Sequence, residues 1–299
     1  MPAAAEAPLA VLLAGGEGRR LHPLTSPARP KPCLRVADGK PLLEQAFERA
    51  SALAGGGRVW AVASAREHTR LSCAAGLFDA EGFIAEPAGR NTAAAAALAC
   101  AVAEAKVPDS TAMALIPSDH VFEEPELFVT ALREAVEAAR AFDGIVLMGT
   151  SPRSADPNYG YIQVSRGAET ALEVARFVEK PPLRMAARCM SEGWLWNLGV
   201  FVFRVETALA AFERCAPFAL EAAREALQGS HDAYLRLAPE SFDRLVVEHS
   251  PCRAVTLPPE AGWFDLGTWA SMREYLERKT GRRFLSDEEA CTFLLDFNL

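Results

Sequence analysis

The stretch LAVLLAGGEGRRL, residues 9–21, decides the fold. Residues 9–14 form a short apolar run without polar alternation, the pattern of a strand covered on both faces by helices. It feeds directly into Gly15 and Gly16, with Gly18 two residues on. Glycines at the carboxyl end of a parallel strand let backbone N–H groups approach a ligand closely, and open α/β sheets bind ligands at that edge. The loop lacks the Gly-Lys-Ser/Thr that closes a Walker A motif, and Leu21 stands where GxGxxG needs its third glycine. Kinase, GTPase and dehydrogenase readings weaken accordingly.

Similar apolar runs recur at residues 58–63 (RVWAVA), 112–116 (AMALI) and 144–148 (GIVLM), each between stretches with helical spacing, as βαβ units require. The clearest helix covers residues 125–140, where Leu127, Phe128, Ala131, Leu132, Ala135, Val136 and Ala139 recur every three or four positions. Its acids Glu123, Glu124 and Glu126 cluster at the front, where the helix dipole favours them. A second helix is expected after Asn91-Thr92, with one of these two as N-cap. Residues 159–164 and 200–205 read as strands and 209–227 as helix. The expected architecture is α/β: a Rossmann-like doubly wound mixed sheet over residues 8–278, with a short helical C-terminal tail at 279–299.

Composition narrows the partners. Half of the 299 residues are hydrophobic, and 31 Lys and Arg face 39 Asp and Glu, a formal charge of −8. No global positive field attracts nucleic acid or anionic lipid, so an anionic substrate must be held by local cations. The seven cysteines show no CxxC and no nearby His pair, which argues against a zinc site. Reduced thiols in a cytoplasmic protein are the simplest expectation. The apolar run near the amino end is too short for a signal peptide, and no window suits a membrane-spanning helix.

Several short segments could carry chemistry. Pro30-Lys31-Pro32 restricts a lysine backbone between two prolines, and with Arg20 beside the glycine loop it makes a polyphosphate clamp. Pro117-Ser118-Asp119-His120 puts a carboxylate directly after the AMALI strand, and Asp265 in GWFDLGTW is a second. Two carboxylates on one sheet edge suit Mg²⁺; equally, each could be a turn residue or a helix cap. EPAGRNT at 86–92, YGY at 159–161, FVEKP at 177–181 and WNLG at 196–199 are weak singly, with Asn91 a cap, Glu179-Lys180 a solvated pair and Trp196 simple packing.

Taken in order, these segments resemble the sugar-1-phosphate nucleotidyltransferase family, within it the bacterial mannose-1-phosphate guanylyltransferases. The likeness runs from about residue 9 to 270 through GGEGRRLHPLT and PKP, EPAGRNTA, PSDH, NYGYI, FVEKP, WNLGVFVF and WFDLGTW. The resemblance implies a nucleoside triphosphate held by Ala14, Gly15, Gly16, Gly18, Arg20 and Lys31. Glu86, Gly89, Asn91 and Ser118 complete the nucleotide site, with the 86–91 loop facing the base. It implies Mg²⁺ on Asp119 and Asp265; Gly160, Glu179 and Asn197 at sugar hydroxyls; and Lys180 on the sugar phosphate. Arg20, Lys31, Asp119 and Asp265 form the implied catalytic set. EPAGRNTA and PSDH look like the guanylyl branch, which points to GTP and mannose 1-phosphate, and relatives form homodimers. PKP and Leu198 depart from that branch and leave another base, or a heptose or deoxysugar phosphate, open. A catalytically silent nucleotide-sugar sensor is the reading from another class.

Overall fold

The computed structural model describes residues 7–16, 18–26, 28–36, 39–64, 66, 71, 76–78, 82–108, 110–165, 167 and 169–298. Strand β1 (Leu9–Leu13) lies between β2 (Val59–Ser64) and β4 (Ala112–Pro117), parallel to both, and β3 (Phe83–Glu86) extends the parallel edge beyond β2. Its residues alternate between two cores. Ala10 and Leu12 join one with α1 (Leu42–Ala54) and α3 (Pro125–Ala141). Leu9 and Val11 join the other with α2 (Asn91–Lys106). Burial on both faces is why the run carries no polar residue. The α3 stripe is buried at Phe128, Ala131, Leu132, Ala135, Val136 and Ala139, with Leu127 half-buried.

Beyond β4 the sheet becomes mixed. The remaining strands are β6 (Ile145–Thr150), β7 (Tyr161–Val164), β8 (Ala171–Val178), β9 (Leu195–Arg204) and β10 (Cys252–Leu257), with helix α4 (Leu183–Ser191) between β8 and β9. The nine-stranded order is β3-β2-β1-β4-β9-β6-β10-β8-β7, and β7 also pairs with β9. Strand β9 runs antiparallel to β4 and β6, while β10 is parallel to β6. A two-residue ribbon joins β5 (His120–Val121) to β11 (Phe264–Asp265).

Three expectations are corrected. The single helix over 209–227 is two, α5 (Val205–Cys215) and α6 (Pro217–Leu227), because Pro217 lacks an N–H and is tolerated only in a helix's first turn. Helix α2 is capped by Arg90 without a side-chain hydrogen bond, so neither Asn91 nor Thr92 is its N-cap. Asn91 is left-handed at φ 68°. Cys33 is disulfide-bonded, not a reduced thiol, whereas Cys100, Cys189, Cys215, Cys252 and Cys291 are free.

A third apolar cluster reaches the functional edge. Met272, Tyr275 and Leu276 of α9 (Trp269–Thr280) and Ala290 and Leu294 of α10 (Asp287–Asn298) pack with Leu21, Leu24 and Leu34. The carboxyl-terminal helices therefore underlie the glycine loop and the lysine turn. Among the described residues no helix is long and apolar enough to cross a membrane.

Candidate functional site

Gly15, Gly16, Glu86, Gly89 and Asn91 line one cavity of about 700 Å³ at the carboxyl edge of β1–β3. Ala14 and Ser118 brace it from behind. The Ala14 N–H donates to the Val62 carbonyl at 2.9 Å, and the buried Ser118 hydroxyl donates to the Leu13 carbonyl at 2.9 Å, tying the ends of β1, β2 and β4. Glu86 is buried and accepts the Tyr234 hydroxyl at 2.8 Å, from α7 (Asp232–Leu235). Burial and the neighbouring carboxylate push the Tyr234 phenol far up, so it stays a proton donor. The base of this loop is pinned further: the Phe242 N–H donates to Thr92 Oγ1 at 3.0 Å and the Ala93 N–H to the Glu240 carbonyl at 3.1 Å. Tyr234→Phe should cost about 1–3 kcal/mol by removing a buried hydrogen bond to a carboxylate, read as a lower midpoint in chemical denaturation.

The second centre is a cation bridge. Gly18 is left-handed at φ 64°, and a Cβ there would lie 2.9 Å from Lys31 Cβ and from Thr25 Cγ2. The glycine thus seats the lysine turn against the loop. Lys31 Nζ lies 2.6 Å from Asp119 Oδ2 and 3.2 Å from Asp265 Oδ1. The β5–β11 ribbon makes this possible, since it pairs Asp265 directly with His120. The lysine side chain is 8% exposed and each acid 30%, so the acids keep a solvent-facing side.

Burial alone would depress the Lys31 ammonium, but the two carboxylates outweigh it and raise it. Burial likewise pushes the Asp119 carboxyl up, and Lys31 and His120 more than reverse that, holding it at about 2. Burial lowers His120 despite both acids, which leaves a neutral imidazole near pH 7. Arg20 closes the rim: a Cβ on Gly267 would lie 3.0 Å from Arg20 Nη2 and 3.1 Å from Asp265 Oδ1. Ligand atoms of Asp119, His120 and Asp265 fall within 4.8 Å of one another. The donor set fits a hard divalent cation, because two carboxylate oxygens converge where a positive charge is already held.

The third group collects around Gly160. Its missing side chain makes room: a Cβ there would lie 2.7 Å from Glu179 Oε2 and 3.3 Å from Asn197 Cβ. Glu179 Oε1 accepts Lys180 Nζ at 2.5 Å, with Lys180 in the left-handed region at φ 46°. Asn197 is buried, its N–H donating to the Gly160 carbonyl at 2.8 Å. Its amide donates to Asp243 Oδ1 at 2.8 Å and accepts the Gly199 N–H at 3.1 Å. Tyr159 and Trp263 pack on Trp196 with ring centroids 4.7 Å and 6.2 Å away. This aromatic wall joins the group to the Asp265 segment.

Three contributors went unread in the sequence. Tyr234 sits in a four-residue helix, Asp243 in the first turn of α8 (Phe242–Leu245), and Arg49 on α1, where Nη2 donates to the His120 carbonyl at 2.9 Å. None lies in a motif, and an acid in a helix's first turn is explained by the dipole alone.

Comparison with known proteins shows the family of the chain. Mannose-1-phosphate guanylyltransferase of Escherichia coli (strain K12) is 35% identical over 285 residues, 88% of this chain and 59% of that one. Xanthan biosynthesis protein XanB of Xanthomonas campestris pv. campestris (strain B100) is 32% identical over 286 residues, 90% of this chain and 60% of that one. The chain therefore spans about 60% of the length of these curated relatives. The solved mannose-1-phosphate geranyltransferase from Thermus thermophilus superposes with a TM-score of 0.82 at 31% identity, over 92% of this chain and 80% of that one. A profile of nucleotidyl transferases matches residues 9–280, and with glycine loop, lysine turn and acid pair on one sheet edge, the chain belongs to the nucleotidyl transferase family.

Proposed function

We propose that the chain transfers a nucleotidyl group from a nucleoside triphosphate, GTP first, to a sugar 1-phosphate, mannose 1-phosphate first, releasing pyrophosphate. The observation that carries this reading is Lys31 held between Asp119 and Asp265 against the glycine loop, next to a cavity large enough for a nucleotide. A sugar phosphate is largely a dianion near neutral pH, so its oxygen can attack the α-phosphorus without a protein base. The difficulty is bringing two anions into line and balancing charge on the leaving pyrophosphate. Arg20 and Lys31 bind the triphosphate; Lys180 orients the sugar phosphate; Glu86, held by Tyr234, faces the base. Asp119 and Asp265 would hold Mg²⁺, which supplies positive charge to phosphate oxygens when bound. Residues 8–278 act as the catalytic domain and 279–299 as its tail, in a cytoplasmic homodimer.

The test is a matrix of nucleoside triphosphates against sugar 1-phosphates with magnesium, read as pyrophosphate release. Turnover with GTP and mannose 1-phosphate is expected; nucleotide-sugar binding without turnover for every pair would favour the silent sensor. Lys180→Ala should raise KM for the sugar 1-phosphate by about tenfold and leave KM for the triphosphate unchanged, as loss of one charge-assisted contact implies. Steady-state kinetics showing the reverse would reassign Lys180.

A further inference from the structure

Asp265 stands on slight local support. Its strand is two residues long, and the ribbon to β5 has two registered pairs, Phe264 with Val121 and Asp265 with His120. An isolated two-stranded ribbon is marginal at best in water, so what keeps this acid at Lys31 must come from outside it. The residues that follow supply part of the hold. Ser271 Oγ donates to the Asp265 carbonyl, and Thr268 caps α9 by accepting the Ser271 N–H at 3.2 Å. The residues that precede it are gripped by Arg153, from the loop that follows β6. Its Nη1 donates to the Trp263 carbonyl at 2.8 Å, its Nε donates to Glu274 Oε1 on α9 at 3.0 Å, and its guanidinium carbon lies 4.4 Å from the centre of the Phe264 ring. The Trp196 ring is 5.4 Å away. Arg153 thus ties the chain on the amino side of Asp265 to the helix on its carboxyl side, against the aromatic wall. A planar fork can serve two acceptors while laying a face on a ring; a lysine ammonium cannot. The Arg153 side chain is 29% exposed and that of Glu274 49%, so the ion pair itself adds little to stability. Its effect is geometric.

We propose that Arg153 is a positioning residue for the second acid: it fixes the Trp263–Asp265 segment so that Asp265 stays opposite Asp119 across Lys31, available to a divalent cation. This rests on the reading above of Asp119 and Asp265 as the metal-holding pair. Arg153 bonds the backbone of Trp263, two residues from Asp265, so it acts through the chain and not on the carboxylate. A metal site has to be held within about 0.5 Å of its working geometry. Loss of a group that orients a metal ligand costs about 10- to 100-fold in metal affinity.

Arg153→Met keeps an aliphatic stem against Phe264 and removes both donors. Binding of Mn²⁺ to the whole chain, without nucleotide or sugar phosphate and followed by electron paramagnetic resonance, should weaken by about tenfold. In turnover assays run well below the unfolding transition, the Mg²⁺ concentration for half-maximal rate should rise by a similar factor, with kcat recovered at high Mg²⁺. A general loss of stability does not produce that pattern. Arg153→Lys keeps the charge but serves only one acceptor, and should weaken Mn²⁺ by about threefold. Unchanged Mn²⁺ affinity and Mg²⁺ dependence in Arg153→Met would overturn the assignment and leave Arg153 a surface brace. If Arg153→Met does not fold, Arg153→Lys decides by the same two measurements. Asp265→Asn is titrated alongside. Should it too bind Mn²⁺ like the wild type, the acid-pair reading fails and this inference with it; a loss in Asp265→Asn with none in either Arg153 variant sinks the positioning role alone.

Discussion

Asp119→Asn and Asp265→Asn should each lower kcat by about 100-fold or more, the scale of losing one electrostatic partner at a charged transition state. The two side chains come from distant parts of the chain and meet on one ammonium, Lys31 Nζ, at 2.6 and 3.2 Å. An amide keeps the shape of either acid but cannot balance a cation. The loss should appear in kcat rather than in KM for the sugar phosphate, because neither acid touches the Gly160–Glu179–Asn197 group. Binding of Mn²⁺, followed by electron paramagnetic resonance, should weaken in both variants, which separates a cation-holding role from a structural one. Near-normal turnover and Mn²⁺ affinity in both would remove the pair from the reaction.

Lys31→Met is the second large effect. With the ammonium gone, Asp119 and Asp265 confront each other across a space shaped for a positive charge, and Asp119 loses its largest favourable partner. Removing one member of a fully buried ion pair costs about 3–5 kcal/mol. The acids here are 30% exposed, so solvent screening cuts the expected loss to about 2 kcal/mol in chemical denaturation. Turnover should fall by about 100-fold with a higher KM for the triphosphate. Mn²⁺ binding without nucleotide should strengthen, since the ammonium no longer competes for the carboxylates. A variant as stable as the wild type with unchanged KM would mean that Lys31 neither seats the acids nor meets the triphosphate.

Much of the fold could be read from local pattern. A strand buried on both faces shows itself as an unbroken apolar run, and the α3 stripe recurs at the helical period, so residues 9–14 and 125–140 needed no tertiary information. Strand β8, by contrast, carries charged residues on a half-exposed face, and α1 begins with no side-chain cap; neither announces itself. The break between α5 and α6 was visible at Pro217 but hidden by the apolar spacing on either side.

By itself the sequence determined the glycine loop, Asp119 and the lysine turn, because each follows directly on a strand or is restrained by prolines, while Asp265 was offered only as a second carboxylate in GWFDLGTW. Only the tertiary structure decided which of them meet. The β5–β11 ribbon places Asp265 beside His120, and thereby both acids on Lys31. It also decided that Asn197 bonds Asp243, and that Tyr234 holds Glu86. These pairings join residues far apart in the chain, and local spacing carries no information about them. What selects them is the burial of polar groups, each of which must find a partner wherever the fold supplies one.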